Sequence, residues 1–95
     1  MNLIYETVHF KGSEKLEQLV NQKIESITLK NPEIIQSRVT LTEDASGNPE
    51  NQVCEIRLEI PGNDIFVKKN AATYEQALRM AVEAAQKMIS KRKNN

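Results

Sequence analysis

The sequence contains few of the residue types that form covalent or metal-bound cores. Its 95 residues include one cysteine, one histidine, three glycines and no tryptophan. The single cysteine, Cys54, excludes an internal disulfide and a zinc site of the usual type, which has several cysteine ligands. The glycines are isolated from one another, so the chain has no glycine-rich phosphate loop. We therefore expect a fold held by packing alone, without a metal or another cofactor.

Long apolar runs are also missing. No window approaches the roughly 20 apolar residues of a membrane span, and the first residues lack the basic start and apolar stretch of a secretion signal. A composition of 39% hydrophobic and 27% charged residues is typical of folded globular chains. We expect one domain over residues 1–95, located in the cytoplasm and without a membrane partner.

A formal net charge of zero conceals an uneven distribution of charge along the chain. Residues 1–64 hold six basic and eleven acidic side chains, whereas residues 65–95 hold seven basic and two acidic ones. Such a division indicates an anionic partner for the C-terminal part. The alternative is a solvated helix end, where cations are favourable beside the negative end of the helix dipole.

Alternating polar and apolar residues predict four strands. The first covers residues 2–10, and a change of parity indicates a bulge near Glu6-Thr7. In the second, residues 34–42, the side chains of Ile35, Val39 and Leu41 share the buried face. The third runs from Cys54 to Ile60, and the fourth begins at Ile65 after a turn.

Two amphipathic helices are predicted around these strands. The first begins after the N-cap Ser13 and ends before Asn31-Pro32, and the second begins with a capping box formed by Thr73 and Gln76. The predicted buried stripe of the second helix comprises Tyr74, Ala77, Leu78, Ala81, Ala85, Met88 and Ile89. The order β-α-β-β-β-α predicts an α+β domain whose four-stranded sheet carries both helices on one face, with a right-handed first crossover.

Candidate catalytic residues lack partners. Cys54 faces the predicted core, where a thiol is usually inert, and His9 has no acidic or nucleophilic neighbour in the pattern. Glu55 and Glu59 flank Arg57 on strand three, which is typical of a solvated, charged sheet face. The sequence therefore predicts neither an enzyme nor a small-molecule substrate.

Basic residues late in the chain form the one pattern with a clear chemistry. On the second helix, Arg79, Lys87 and Lys91 follow one another at four-residue steps around Glu83, at about 6 Å per step, which is comparable with the spacing of nucleotide phosphates. Arg92 and Lys93 follow, and Lys68 and Lys69 are on the last strand. These residues predict RNA binding led by the phosphate backbone, with Phe66 as the exposed aromatic candidate for stacking. An ion-paired solvent face is the alternative.

The chain resembles the ribosome hibernation-promoting factors and ribosome-associated inhibitors, also described as sigma-54 modulation proteins. The resemblance rests on the element order, on Val8-His9-Phe10 at the end of strand one, on Leu16 to Ile24 in helix one, and on Lys68-Lys69 leading into the segment from Thr73 to Leu78. It spans nearly the whole chain. The length is similar to that of the short form, so we expect no domain of the kind through which longer relatives pair two ribosomes.

The resemblance implies a domain similar to a double-stranded-RNA-binding fold. It further implies that the domain enters the channel for messenger and transfer RNA in the small ribosomal subunit and blocks translation, with ribosomal RNA as its partner. The implied contacts are Lys23, Lys30, Arg79, Lys87, Lys91, Arg92 and Lys93. Family members commonly carry lysines where this chain has Ser26 and Glu83-Ala84-Ala85, which implies either a weaker, more salt-sensitive attachment or a changed site on the ribosome.

A second hypothesis belongs to a different class. The open face of the sheet, with Arg38, Arg57, Phe66 and the alternating glutamates, is also consistent with a module that binds another protein.

Overall fold

Six elements follow one another in the predicted order. The computed structural model describes residues 2–8 and 10–93. The elements are β1 (Leu3–Val8), α1 (Glu14–Lys30), β2 (Gln36–Glu43), β3 (Gln52–Glu59), β4 (Ile65–Ala71) and α2 (Tyr74–Lys93). None of the helices in the described part of the chain combines the length and the apolar character that a membrane crossing requires.

The sheet has the strand order β1-β2-β3-β4, so every strand pairs with its neighbour in sequence. β1 and β2 are parallel, as the helix between them requires, and the other two pairs are antiparallel. The exposed segment 44–51 joins β2 to β3, and a turn containing Gly62, with a φ of 100°, joins β3 to β4. β1 and β4 form the two edges.

The predicted bulge in β1 is wrong. The strand pairs with β2 residue for residue, from Leu3 opposite Ser37 to Val8 opposite Thr42. Val8 instead lies on the open face of the sheet, and Phe10 lies beyond the strand, where its ring stacks on Tyr74 at 4.2 Å between centroids. The change of parity therefore marks the end of the strand, which is shorter than predicted.

Side-chain caps fix the helix starts. The Ser13 hydroxyl accepts a hydrogen bond from the Leu16 amide, and the Thr73 hydroxyl accepts one from the Gln76 amide, both at 3.1 Å. At the other end of α1 the C-cap Asn31 is buried, and its side-chain amide donates to the Ile27 carbonyl at 2.8 Å. These contacts satisfy backbone groups that a helix terminus leaves without partners.

Both helices cover one face of the sheet and share its hydrophobic core, as predicted. Two expectations about this core are wrong: Ile35 precedes β2 and is 59% exposed, and Met88 is 38% exposed at the rim of α2. Val82, which the predicted stripe of α2 did not include, is buried in the core. The largest fully buried side chains include Ile24, Ile56 and Leu78.

α1 and α2 run side by side in the same direction. Ser13 and Tyr74, near the two helix starts, line one hollow, and Lys30 and Lys93, at the two helix ends, line another of about 310 Å³. Both negative helix-dipole ends therefore lie at one end of the molecule, where cations are favourable.

Candidate nucleic-acid interface

Lys23 and Lys30 place two cations on the side of α1 that faces α2. They are seven residues apart, which is two helical turns, so they lie on the same side of the helix. Lys30 is exposed and lines the hollow between the helix ends. Lys23 is half-buried, as expected for a long side chain that crosses apolar neighbours before reaching water.

The facing side of α2 carries Arg79, Gln86 and Lys93, again at seven-residue steps. Gln86 and Lys93 line the same hollow as Lys30. We call the surface formed by Lys23, Lys30, Arg79 and Lys93 the interhelical groove. Lys30 and Lys93 share one hollow between the helix ends, whereas Arg79 lines a separate hollow near the start of α2.

A separate group of cations lies toward β4. Lys69 and Lys87 line a common hollow with Met80 and Glu83. Lys91 follows Lys87 by one turn and is exposed. We call Lys69, Lys87 and Lys91 the outer flank.

The basic residues of α2 thus do not form one straight row. Each four-residue step advances about 40° around a helix, so Arg79 and Lys91 differ by about 120°. Arg79 borders the interhelical groove and Lys91 the outer flank. The cations consequently cover a broad surface rather than a line.

Three of the candidate RNA-binding residues form exposed ion pairs. Arg79 Nη2 lies 2.9 Å from Glu75 Oε1, and Lys87 Nζ lies 3.4 Å from Glu83 Oε1. Lys93 Nζ lies 3.8 Å from Glu33 Oε1. The ion-paired alternative is therefore realised at these positions. Because exposed pairs contribute less than about 1 kcal/mol, a phosphate group can replace the carboxylate at small cost.

Five of the candidate lysines form no such pair with a carboxylate of residues 2–8 or 10–93. They are Lys23, Lys30, Lys68, Lys69 and Lys91. Four of these five belong to the interhelical groove or the outer flank. α1 carries three basic and three acidic side chains and α2 carries five basic and two acidic ones, so the positive excess of the helices comes from α2.

Two candidate residues lie elsewhere. Lys68 projects from the open face of the sheet, because successive residues of β4 point to opposite faces and Lys69 takes the helix side. Arg92 donates hydrogen bonds to the carbonyl of Asn63 and, at 3.2 Å, to that of Asp64. Arg92 therefore ties the end of α2 to the β3–β4 turn, and Lys68 does not join the helix-side cations.

Three polar residues of the groove were not among the sequence candidates. Asn31, Gln86 and Ser90 line the hollow that contains Lys30 and Lys93. Asn31 Oδ1 accepts a hydrogen bond from Lys93 Nζ, which ties the two helix ends together. The Asn-Pro stop signal identifies Asn31 as a cap, but nothing in a single sequence indicates its contact with a residue of the other helix.

The catalytic candidates remain without partners in the described residues. Cys54 is fully buried, and burial together with the charge of Glu55 raises the pKa of its thiol to about 12, so it is protonated and unreactive at neutral pH. Glu55 and Glu59 lie on the open face with Arg57, as predicted. His9 lies outside the described residues. No group of three His, Cys, Asp or Glu side chains within residues 2–8 and 10–93 could hold a metal ion.

This α+β domain with a cationic helix side has known structural counterparts. It is similar to a ribosomal subunit interface protein from Coxiella burnetii, with a TM-score of 0.87, 16% identity and coverage of 100% of both chains. It is also similar to the N-terminal domain of Thermus thermophilus Protein Y, with a TM-score of 0.79, 17% identity and coverage of 96% of this chain and 98% of that chain. No curated protein matches the chain by sequence.

The family follows from the sequence itself. Residues 3–95 match the model of the family described as sigma 54 modulation protein / S30EA ribosomal protein. The chain belongs to this family, and the resemblance drawn from its motifs is confirmed.

Proposed function

We propose that this protein is a non-enzymatic, ribosome-associated translation inhibitor that binds ribosomal RNA of the small subunit in the channel for messenger and transfer RNA. The observation that carries the proposal is the convergence of cations from α1, α2 and β4 on the helix side of a domain whose family is that of ribosome-associated proteins.

The chemistry of this surface fits an RNA backbone. Ammonium and guanidinium groups on a broad surface neutralise phosphates and release counterions, which gives affinity without sequence readout. The interhelical groove and the outer flank are separated by the exposed side of α2, so they contact separate stretches of backbone. Shape and phosphate position then determine where the domain docks.

Cosedimentation with purified small subunits tests the proposal directly. The wild-type chain should pellet with the subunits at low salt, and the double variant Lys87→Glu/Lys91→Glu should bind at least tenfold more weakly because it places two anions on the outer flank. The matched control is Lys11→Glu/Lys15→Glu, which makes the same change of charge near the start of α1 and should bind like the wild type.

A translation assay and competition with transfer RNA test whether the protein inhibits translation from the messenger and transfer RNA channel. The wild-type chain should reduce protein synthesis in a reconstituted translation reaction, and excess transfer RNA should displace it from small subunits. Absence of comigration at low salt would refute ribosome binding. Binding that survives saturating transfer RNA and messenger RNA would place the site outside the channel.

A further inference from the structure

Register partners on the four strands form rows, or levels, across the open face of the sheet. One of these levels carries two arginines directly opposite each other. Arg38 on β2 is the register partner of Arg57 on β3, and the same level continues to Ile4 on β1 and Phe66 on β4. We call these four residues the arginine row. Like charges directly opposite each other destabilise a sheet, so this pair by itself costs stability.

Each end of the arginine pair is held by one carboxylate. Glu6 Oε1 accepts a hydrogen bond from Arg38 Nη1 at 2.6 Å. Asp64 Oδ2 lies 3.6 Å from Arg57 Nη1, which is longer than a hydrogen bond. The side chains of both arginines remain about half exposed, so most of their N–H donors are open to an incoming anion.

Arg57 also forms a stacking surface with the aromatic ring at the end of the row. Its Cζ atom lies 5.0 Å from the centroid of the Phe66 ring, and Phe66 is 45% exposed. The guanidinium therefore lies over the phenyl ring, and the two groups form one stack whose free flat surface an unpaired base can extend. Arg38, one strand away, is placed to contact a phosphate beside that base.

The neighbouring levels of the open face have a different character. The next level contains Glu6, Thr40, Glu55 and Lys68, and the one after it contains Val8, Thr42, Val53 and Asn70. Glu6 and Glu55 thus border the arginine row on one side, and Glu59, opposite Gln36, borders it on the other. An anionic ligand on this face is therefore confined to the row itself.

Asp64 connects the arginine row to the basic end of α2. Asp64 in the β3–β4 turn pairs with Arg57 through its carboxylate and accepts a hydrogen bond from Arg92 through its carbonyl. A strand of RNA that leaves the end of α2 therefore reaches the open face by passing a single turn.

From this geometry we infer that the open face holds a second RNA contact: an unpaired nucleotide stacks on Phe66 and Arg57, and its phosphate binds Arg38. The inference rests on the proposed function and extends it to the opposite side of the sheet. It names single-stranded rather than duplex RNA, because only an unpaired base exposes its face for stacking.

Fluorescence tests the stacking contact by itself. The chain has no tryptophan, so Phe66→Trp introduces a single indole. Addition of a single-stranded RNA of about eight nucleotides should quench its emission, as stacking on a base requires. The matched control is Asn70→Trp, two levels away on the same face of β4, whose emission should change little.

Ribosome binding tests the contact in the assembly. Phe66→Leu keeps an apolar side chain but removes the ring, and it should weaken cosedimentation with small subunits about tenfold. Phe66→Tyr keeps the ring and should bind like the wild type. Arg57→Gln should weaken binding to a similar extent, and Thr40→Ala should not. Circular dichroism spectra confirm that each variant folds.

The outcomes separate the two proposals. If wild type, Phe66→Leu and Arg57→Gln bind small subunits equally well, the open-face inference is overturned and the proposed function stands. If Phe66→Leu weakens binding but RNA leaves the indole emission unchanged, the face contacts a protein and the nucleotide inference is overturned. If the wild-type chain does not cosediment, the proposed function fails and the inference fails with it.

Discussion

At the scale of single residues, burial determines the chemistry of Cys54. The thiol has no exposed surface, and desolvation is the largest cause of its raised pKa. The pKa of Tyr5 is raised mainly by the same effect, with smaller contributions from Glu17 and Cys54. All of these shifts favour the protonated, neutral form in the folded state.

Folding stability should therefore fall at alkaline pH. Because the folded-state pKa of Cys54, about 12, exceeds its ordinary value of 9.0, unfolding between these two pH values releases a proton. The stabilisation is complete below about pH 9 and is lost as the pH rises toward about 12. Urea denaturation at a series of pH values measures this loss, which should be smaller for Cys54→Ala. Rapid alkylation of the native thiol at neutral pH would contradict its burial.

Gly12 illustrates a close approach that a sequence does not reveal. A Cβ atom at this position would lie 2.9 Å from Thr7 Cγ2 and 3.3 Å from Tyr5 Oη. Gly12 thus does more than terminate the first strand, because it lets the chain pass against the side chains of β1.

The substitution Gly12→Ala should destabilise the protein by about 1–3 kcal/mol through overpacking. Thr7→Ser removes the Cγ2 atom that causes the clash, so the double variant should recover part of the loss. A double-mutant cycle by urea denaturation measures the coupling. Strict additivity would show that the Thr7 methyl group is not the obstacle.

At the scale of elements, caps and periodicity determine most of the fold. Ser13, Thr73 and the Asn31-Pro32 stop signal bound the helices where the sequence predicts, since each satisfies local backbone groups. Strand boundaries are less predictable. β1 ends earlier than predicted, and Ile35 is exposed before β2 begins, because the register between neighbouring strands decides both.

Removing the helix caps should have a measurable effect. Ser13→Ala and Thr73→Ala should each lower the free energy of unfolding by about 1 kcal/mol, because an amide of the first turn loses its acceptor. Ser26→Ala, at an exposed position inside α1, is the matched control and should be neutral or slightly stabilising. Chemical denaturation measures all three. An equal effect at Ser26 would mean that the hydroxyls do not act as caps.

At the scale of the whole molecule, the division of charge along the sequence becomes a division in space only in part. The sequence correctly indicates exposed cations on α2, and the alternation of a strand places Lys68 and Lys69 on opposite faces of the sheet, but it does not indicate which cations share a hollow. Nor does it show that Arg92 binds the β3–β4 turn or that Lys93 reaches Asn31. These contacts join residues distant in sequence, and local patterns carry no information about them.

The ion pair on the outer flank leads to a prediction about affinity. Glu83→Gln removes the carboxylate beside Lys87 and should tighten binding to small subunits severalfold at low salt. Glu14→Gln, near the start of α1, makes the same change of charge away from the cationic surface and should leave binding unchanged. Cosedimentation over a range of potassium chloride concentrations provides the measurement. The gain should shrink as salt rises, and a gain independent of salt would rule out an electrostatic cause.

The position of β4 at the edge of the sheet has a consequence for the protein's solubility. An uncovered edge strand offers free backbone groups to other chains, and lysines in the middle of such a strand discourage stacking into aggregates. Lys68 and Lys69 occupy that position. Variants that neutralise them should therefore form larger particles in light scattering, whether or not nucleic acid is present.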